Sequence, residues 1–166
     1  MSEIRVDVYR SIPFEIEAIT RCLLDFERAQ PRLLAGIVDD YAVLAGGVGE
    51  GTVVCCAITL RRRRRTFTFR ISEPILKKII TAYDHDSRLS ITWHLRPEVS
   101  ETEVEIEASW SDPDSAFGFL AAWWANVVVR RMLNQVLDRL PAVIQEFGCD
   151  APPTLGARRQ TRRDQQ

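Results

Sequence analysis

No stretch of this sequence approaches the roughly 20 consecutive apolar residues that cross a bilayer, so a membrane span is not expected. The opening residues, Met1-Ser2-Glu3-Ile4-Arg5, lack the apolar core of a secretory signal, which points to the cytoplasm. Histidine is scarce, with 2 in the chain, and the 4 cysteines (Cys22, Cys55, Cys56 and Cys149) contain no CxxC pair. Neighbours on a strand send their side chains to opposite faces, so Cys55 and Cys56 cannot share a metal ion. No metal site and no cofactor are expected, and the cysteines read as reduced thiols with Cys56 in the core. A net charge of -1 removes any general pull toward nucleic acid or an anionic membrane. Lysine is nearly absent too: of 22 basic residues, only Lys77 and Lys78 are lysines.

What is present is the composition of one globular domain. The chain has 166 residues, 46% hydrophobic and 27% charged, enough for a sizeable core. Ile4, Val6 and Val8 alternate with Arg5, Asp7 and Tyr9, which predicts a half-buried strand. Ser11 offers a cap and Pro13 suits a first helical turn. Ile16, Ile19, Leu23 and Phe26 then recur at helical spacing, so a helix is expected from about Phe14 to Arg28. Gln30-Pro31 ends it, with room for a second helical turn between Arg32 and Gly36.

From Tyr41 to Trp110 the period is mostly two. The glycine cluster Gly46 to Gly51 reads as a turn between strands, and Glu73-Pro74 as a break. Val54, Cys56, Ile58 and Leu60 make one apolar face; Phe67, Phe69 and Ile71 make the next. Ile79 to Tyr83 is a strand whose inward face the pattern does not assign. Leu89, Ile91, Trp93 and Leu95, then Val104, Ile106, Ala108 and Trp110, alternate with polar partners. Such alternation belongs to an antiparallel meander with one buried face. Asp112-Pro113-Asp114-Ser115 starts a helix that runs to about Leu140, with a kink allowed at Pro141 and a close at Phe147-Gly148. Some 30 residues at about 1.5 Å each span about 45 Å, enough to cross a whole small sheet. Beyond it, residues 149–166 have almost no apolar content and read as a disordered basic tail on a domain of residues 1–148.

One sheet with one wet face needs its other face covered, and only the helices are available. A long helix cannot touch a curved sheet everywhere, and the gap is a natural cavity. Inward parities place Tyr41, Val54, Cys56, Phe67, Phe69, Ile91 and Trp93 on its strand side, with Tyr83 beside them if its strand faces that way. On the helix, Gly118, Ala122, Ala125 and Val129 form a small-residue stripe extended by Leu133 and Val136, which would either face the cavity or form ordinary core with a close helix–sheet approach. A second stripe, Phe117, Ala121, Trp124 and Val128, would meet the sheet margin or a second subunit, which leaves a homodimer open.

Several of these residues together resemble the START/Bet v 1-like superfamily, and within it the bacterial polyketide cyclase/dehydrase group. They are Ile12-Pro13-Phe14, Leu23 to Arg28 with Pro31, the turn Gly49-Glu50-Gly51-Thr52, Glu73-Pro74, and Trp93, Leu95 and Pro97 followed by Thr102-Glu103-Val104. The resemblance covers about Val6 to Phe147. It implies an α+β helix-grip fold, a curved antiparallel sheet of about seven strands around a long C-terminal helix with an apolar cavity. Relatives often carry an aromatic residue at the cavity mouth where this chain has Leu33. Members bind lipids, sterols, polyketides or quinones, and some catalyse cyclisation or dehydration.

Catalysis would need acid-base groups in the pocket, and the inward parities supply few. His94 shares parity with the wet face and His85 lies in the turn Asp84-His85-Asp86-Ser87. That turn has too few ligands for a metal. Arg61 to Arg65 reads as a solvated hairpin, without the interleaved aromatics that stack on bases. The glutamates at 101, 103, 105 and 107 make an exposed ladder that Arg5 could offset. Binding or carriage of a hydrophobic small molecule is therefore the first expectation, with no nucleic acid partner. A cyclase or dehydratase acting on a polyketide-like substrate, and a protein-interaction module, are the alternatives.

Overall fold

Period-two patterning becomes a single sheet. The computed structural model describes residues 3–60, 62–111 and 122–148. Its strands are β1 (Ile4–Ile12), β2 (Asp39–Ala45), β3 (Val53–Leu60), β4 (Arg63–Ile75), β5 (Ile79–Asp84), β6 (Ser90–Pro97) and β7 (Thr102–Trp110). All pairings are antiparallel, in the order β1-β7-β6-β5-β4-β3-β2. Two short helices, α1 (Ile16–Leu23) and α2 (Ala29–Leu33), connect β1 to β2, and α3 (Ala122–Gly148) grips the sheet. The expected helix start at Asp112 to Ser115, and the expected tail at 149–166, lie outside the described residues.

β1 pairs with β7 from Ile4 opposite Trp110 to Ile12 opposite Thr102. Val6, Val8 and Ile12 thereby join Val104, Ile106, Ala108 and Trp110 in the core, each at most 5% exposed. On the wet face the glutamate ladder meets arginine: Arg5 Nε lies 3.6 Å from Glu107, and Arg96 donates to Glu103 and Glu105 at 2.6 and 3.0 Å. Such exposed pairs contribute little stability. The alternation of buried and wet side chains fixes the register.

Four local expectations need correction. Ser11 does not cap α1; it is still paired in β1, opposite Glu103, and Glu15 holds the cap position without a side-chain bond. The helix drawn from Phe14 to Arg28 stops at Leu23, because the glycine turn takes its backbone groups. Phe26 N–H donates to Gly47 O at 2.9 Å, and Gly49 N–H to Leu24 O at 3.0 Å. Phe26 stays in the core at 5% exposure without being helical. The second helical turn begins earlier than Arg32, at Ala29, with Pro31 inside its first turn where no N–H is required. Finally, β4 does not end at Glu73-Pro74; the proline removes a ladder donor, and the strand answers with a register shift between Ser72 and Ile75.

The glycine turn depends on Gly46. Its φ is +72°, and a Cβ there would fall 2.9 Å from Thr52 Cα. Thr52 is fully buried, and its hydroxyl accepts from Gly47 N–H at 3.1 Å. Among the described residues of the arginine run, Arg62 to Arg65, Arg62 has a positive φ (65°). Arg63 to Arg65 already pair with β3, and Arg64 is bonded to Asp40 on β2.

Asp84 closes β5 and is 3% exposed. It accepts from Thr68 N–H at 3.0 Å and from Ser87 N–H at 2.9 Å, with the Ser87 hydroxyl as a further partner. This inward carboxylate went unread in the sequence because its turn looked like a solvent loop. Asp84→Ala leaves buried donors unpaired and should lower the unfolding free energy by roughly 3 kcal/mol, with Asp84→Asn losing about half of that. Denaturant titration checks this; a loss under about 1 kcal/mol for the alanine variant would contradict the structural role.

Candidate functional site: an apolar cavity under the C-terminal helix

α3 approaches β1 most closely, then α1 and α2, and stands off from the middle of the sheet. The space left is a cavity of about 120 Å³. Its floor is the inner face of β3 to β7, including Val54, Ile71, Ile80, Ala82, Ile91 and Ile106. Its roof is Met132, Leu133 and Val136 of α3. Its side is the connection from α1 to β2, with Leu23, Phe26, Gln30, Leu34 and Ile37. A larger concavity of about 490 Å³ runs along the outer face of α3 at Asn126, Arg130, Asn134 and Asp138. It is open to solvent, and two of its charged side chains are engaged: Arg130 donates to Asp7 O at 2.8 Å and Asp138 pairs with Arg10. It offers no enclosure for an apolar ligand.

The structure brings Tyr41, Val54, Cys56, Phe69, Ile91 and Trp93 together on the cavity wall. Tyr83 is not among them. Ile80, Ala82 and Asp84 take the inward parity of β5, so Tyr83 points to the other face and is 40% exposed. Both parities of that strand carry apolar residues, which is why the pattern did not choose. Phe67 is fully buried but lies off the wall; its ring stacks on Phe69 with centroids 5.8 Å apart. Ala125 and Val129 are also buried in the core rather than on the wall. Small side chains let a helix come close to what it packs on, and closeness leaves no void. The cavity opens further along the same stripe, at Leu133 and Val136. Gly118 lies outside the described residues, as does the side chain of Ala122. Leu33 is fully buried off the cavity wall, so it frames no mouth.

Sequence reasoning missed Gln30, Leu34, Ile37 and Val38, because α2 is too short to show a period. It also missed Met132, which falls between the two stripes considered. Trp124, half-buried, packs against the core. His94 sits opposite Glu105 on the half-wet face, and His85 is exposed. Among the described residues no cluster of histidine, cysteine, aspartate and glutamate could hold a metal, and no helix is long and apolar enough to cross a membrane.

Polar atoms on the wall are few. Tyr41 donates its hydroxyl proton to Phe26 O at 2.7 Å, and Gln30 Nε2 donates to Leu23 O at 2.8 Å. Burial pushes the Cys56 thiol from 9.0 up to about 12, with Cys55 and Asp84 adding to the effect. Burial likewise raises Tyr41, helped by Cys56 and Asp25. Nearby, Cys22 is pushed up to about 12 by burial and then by Asp25. These groups therefore stay neutral at physiological pH.

No family model and no curated protein matches the sequence. Solved structures do. The KanY protein, determined in solution, superposes with a TM-score of 0.77 at 23% identity, over 87% of this chain and 99% of that one. A START superfamily protein from Mycobacterium smegmatis gives 0.68 at 12% identity, over 86% and 98%. Major latex-like protein 151 from Panax ginseng gives 0.65 at 9% identity, over 84% and 96%. Identities this low establish the fold: the chain has the helix-grip fold of the START/Bet v 1-like proteins.

The raised thiols carry a stability consequence. The unfolded chain releases those protons near pH 9, while the folded chain holds them to about 12. Stability is then complete below pH 9 and declines as pH rises toward 12. Denaturation midpoints measured between about pH 8 and pH 11 should fall, and Cys56→Ala should fall less steeply than wild type. Parallel slopes for the two proteins would assign the alkaline loss elsewhere.

Proposed function

We propose that the protein binds or carries a hydrophobic small molecule in the cavity beneath α3. The observation that carries this reading is a mostly apolar space walled by sheet, roof helix and the α1–β2 connection at once. Ordinary cores close such spaces, because a lining without partners loses contact energy. The wall favours carriage over a cyclase or dehydratase. Its titratable groups, Tyr41 and Cys56, are held neutral by burial, and neither can act as a base near neutral pH. The START/Bet v 1-like fold of the neighbours supports the same reading.

Size narrows the ligand. An engineered apolar cavity of about 150 Å³ takes benzene, so about 120 Å³ suits a single ring or a short branched chain. A lipid, polyketide or quinone of larger size enters only if Leu34, Ile37 and Val38 move outward with the short segment that bears them. The free thiols Cys22, Cys55 and Cys56 suit the reducing cytoplasm, where we place the protein.

Native mass spectrometry of freshly purified protein should show an added mass that organic extraction removes. Ala82→Leu, which pushes carbon into the cavity from β5, should weaken binding of a hydrophobic fluorophore by about tenfold or more while the melting temperature holds or rises. Tyr83→Ala, one residue away on the opposite face, should leave fluorophore binding unchanged. If Ala82→Leu instead loses roughly 1–3 kcal/mol through overpacking and wild type binds no fluorophore, the space is not a ligand site.

A further inference from the structure

The wall's hydrogen bonds are lopsided. Tyr41 has spent its one proton on Phe26 O, so its oxygen can only accept. Leu23 O is also only an acceptor, and this fixes the Gln30 carboxamide: nitrogen must face Leu23, and Oε1 must face away. Gln30 is 7% exposed and lines the cavity. Among the described residues no donor meets its Oε1, and its second amide hydrogen has no partner either. The anchoring carbonyls are Leu23, at the end of α1, and Phe26, in the connection to α2, so the polar groups of Gln30 and Tyr41 are held on the same side of a mostly apolar space. No arginine, lysine or histidine lines that space, so an anionic ligand would find no cationic partner. No carboxylate lines it either, so a cation finds no partner.

We infer that the ligand is a neutral ring-sized molecule carrying one hydroxyl group, and that Gln30 is the residue that holds this hydroxyl. This rests on the binding function proposed above. A hydroxyl both donates and accepts, which matches the free Oε1 and the remaining amide hydrogen of Gln30 better than an ether, a ketone or a bare hydrocarbon does. The ring lies against Phe26, Phe69 and Trp93, with Met132 above it. Gln30 Oε1 has no protein donor among the described residues, and a hydroxyl entering the cavity would supply one.

Calorimetric titration of the full chain with phenol and with toluene tests this, because the two probes have the same shape. A bare apolar cavity prefers toluene, which gives up no hydration on entry. This cavity should prefer phenol by about tenfold, and Gln30→Met, which keeps the side-chain length, should reverse the preference. Tyr41→Phe should leave the preference for phenol in place but reduced. Anisole, whose oxygen is capped by a methyl group, should follow toluene; this control needs no variant to fold. Toluene or anisole binding as tightly as phenol overturns the hydroxyl assignment and leaves the apolar site intact. Binding of none of the three probes overturns both readings.

Discussion

The arrangement depends on one geometric constraint: a single long helix must cover the inner face of a seven-stranded antiparallel sheet. Strand pairing fixes the inner face, since a slip of one residue would turn every apolar side chain to solvent. The helix cannot follow that face, so it settles against β1 and the two short helices and stands off elsewhere. The cavity is what this compromise leaves. Its apolar walls follow from the same alternation that builds the core, with Ile80 and Ala82 on the floor and Leu133 and Val136 on the roof. Fold and site therefore share residues, and the site needs no motif of its own.

That sharing explains what the sequence made legible. Strand parity carried most of the sheet, because Val54, Cys56, Phe69, Ile91 and Trp93 each sit in an unambiguous alternation. Parity failed at β5, where Ile79, Ile80, Ala82 and Tyr83 offer apolar residues to both faces. Helical stripes located the side of α3 that looks inward, but not which part of it meets packed core. Ala125 and Val129 lie where the helix is well packed, and Leu133 and Val136 where it is not, a distinction set by the separation of helix and sheet. The short α2 was the least readable element. Its entry is set by long-range bonds from Gly47 and Gly49 to the α1–α2 connection, and no local period records them.

Electrostatics separates the two faces of the domain by chemistry as well as by burial. Outside, Arg5, Arg96, Arg64 and Arg32 pair with Glu107, Glu103, Asp40 and Glu146 in solvent-exposed bridges. Inside, Asp84 is buried, but its own turn and Thr68 satisfy it, so its charge serves the fold. The wall retains only groups that burial keeps neutral, Tyr41 and Cys56, and the amide of Gln30.

The central claim is that a ligand occupies the space between α3 and the sheet. Intermolecular nuclear Overhauser contacts from a bound apolar probe to methyl-labelled protein test it most directly. The account predicts contacts to Met132 of the roof and to Ile80 and Ile91 of the floor at once, since only a molecule inside the cavity lies near all three. Contacts confined to exposed side chains such as Val127 or Leu44, with none to Met132, would contradict it.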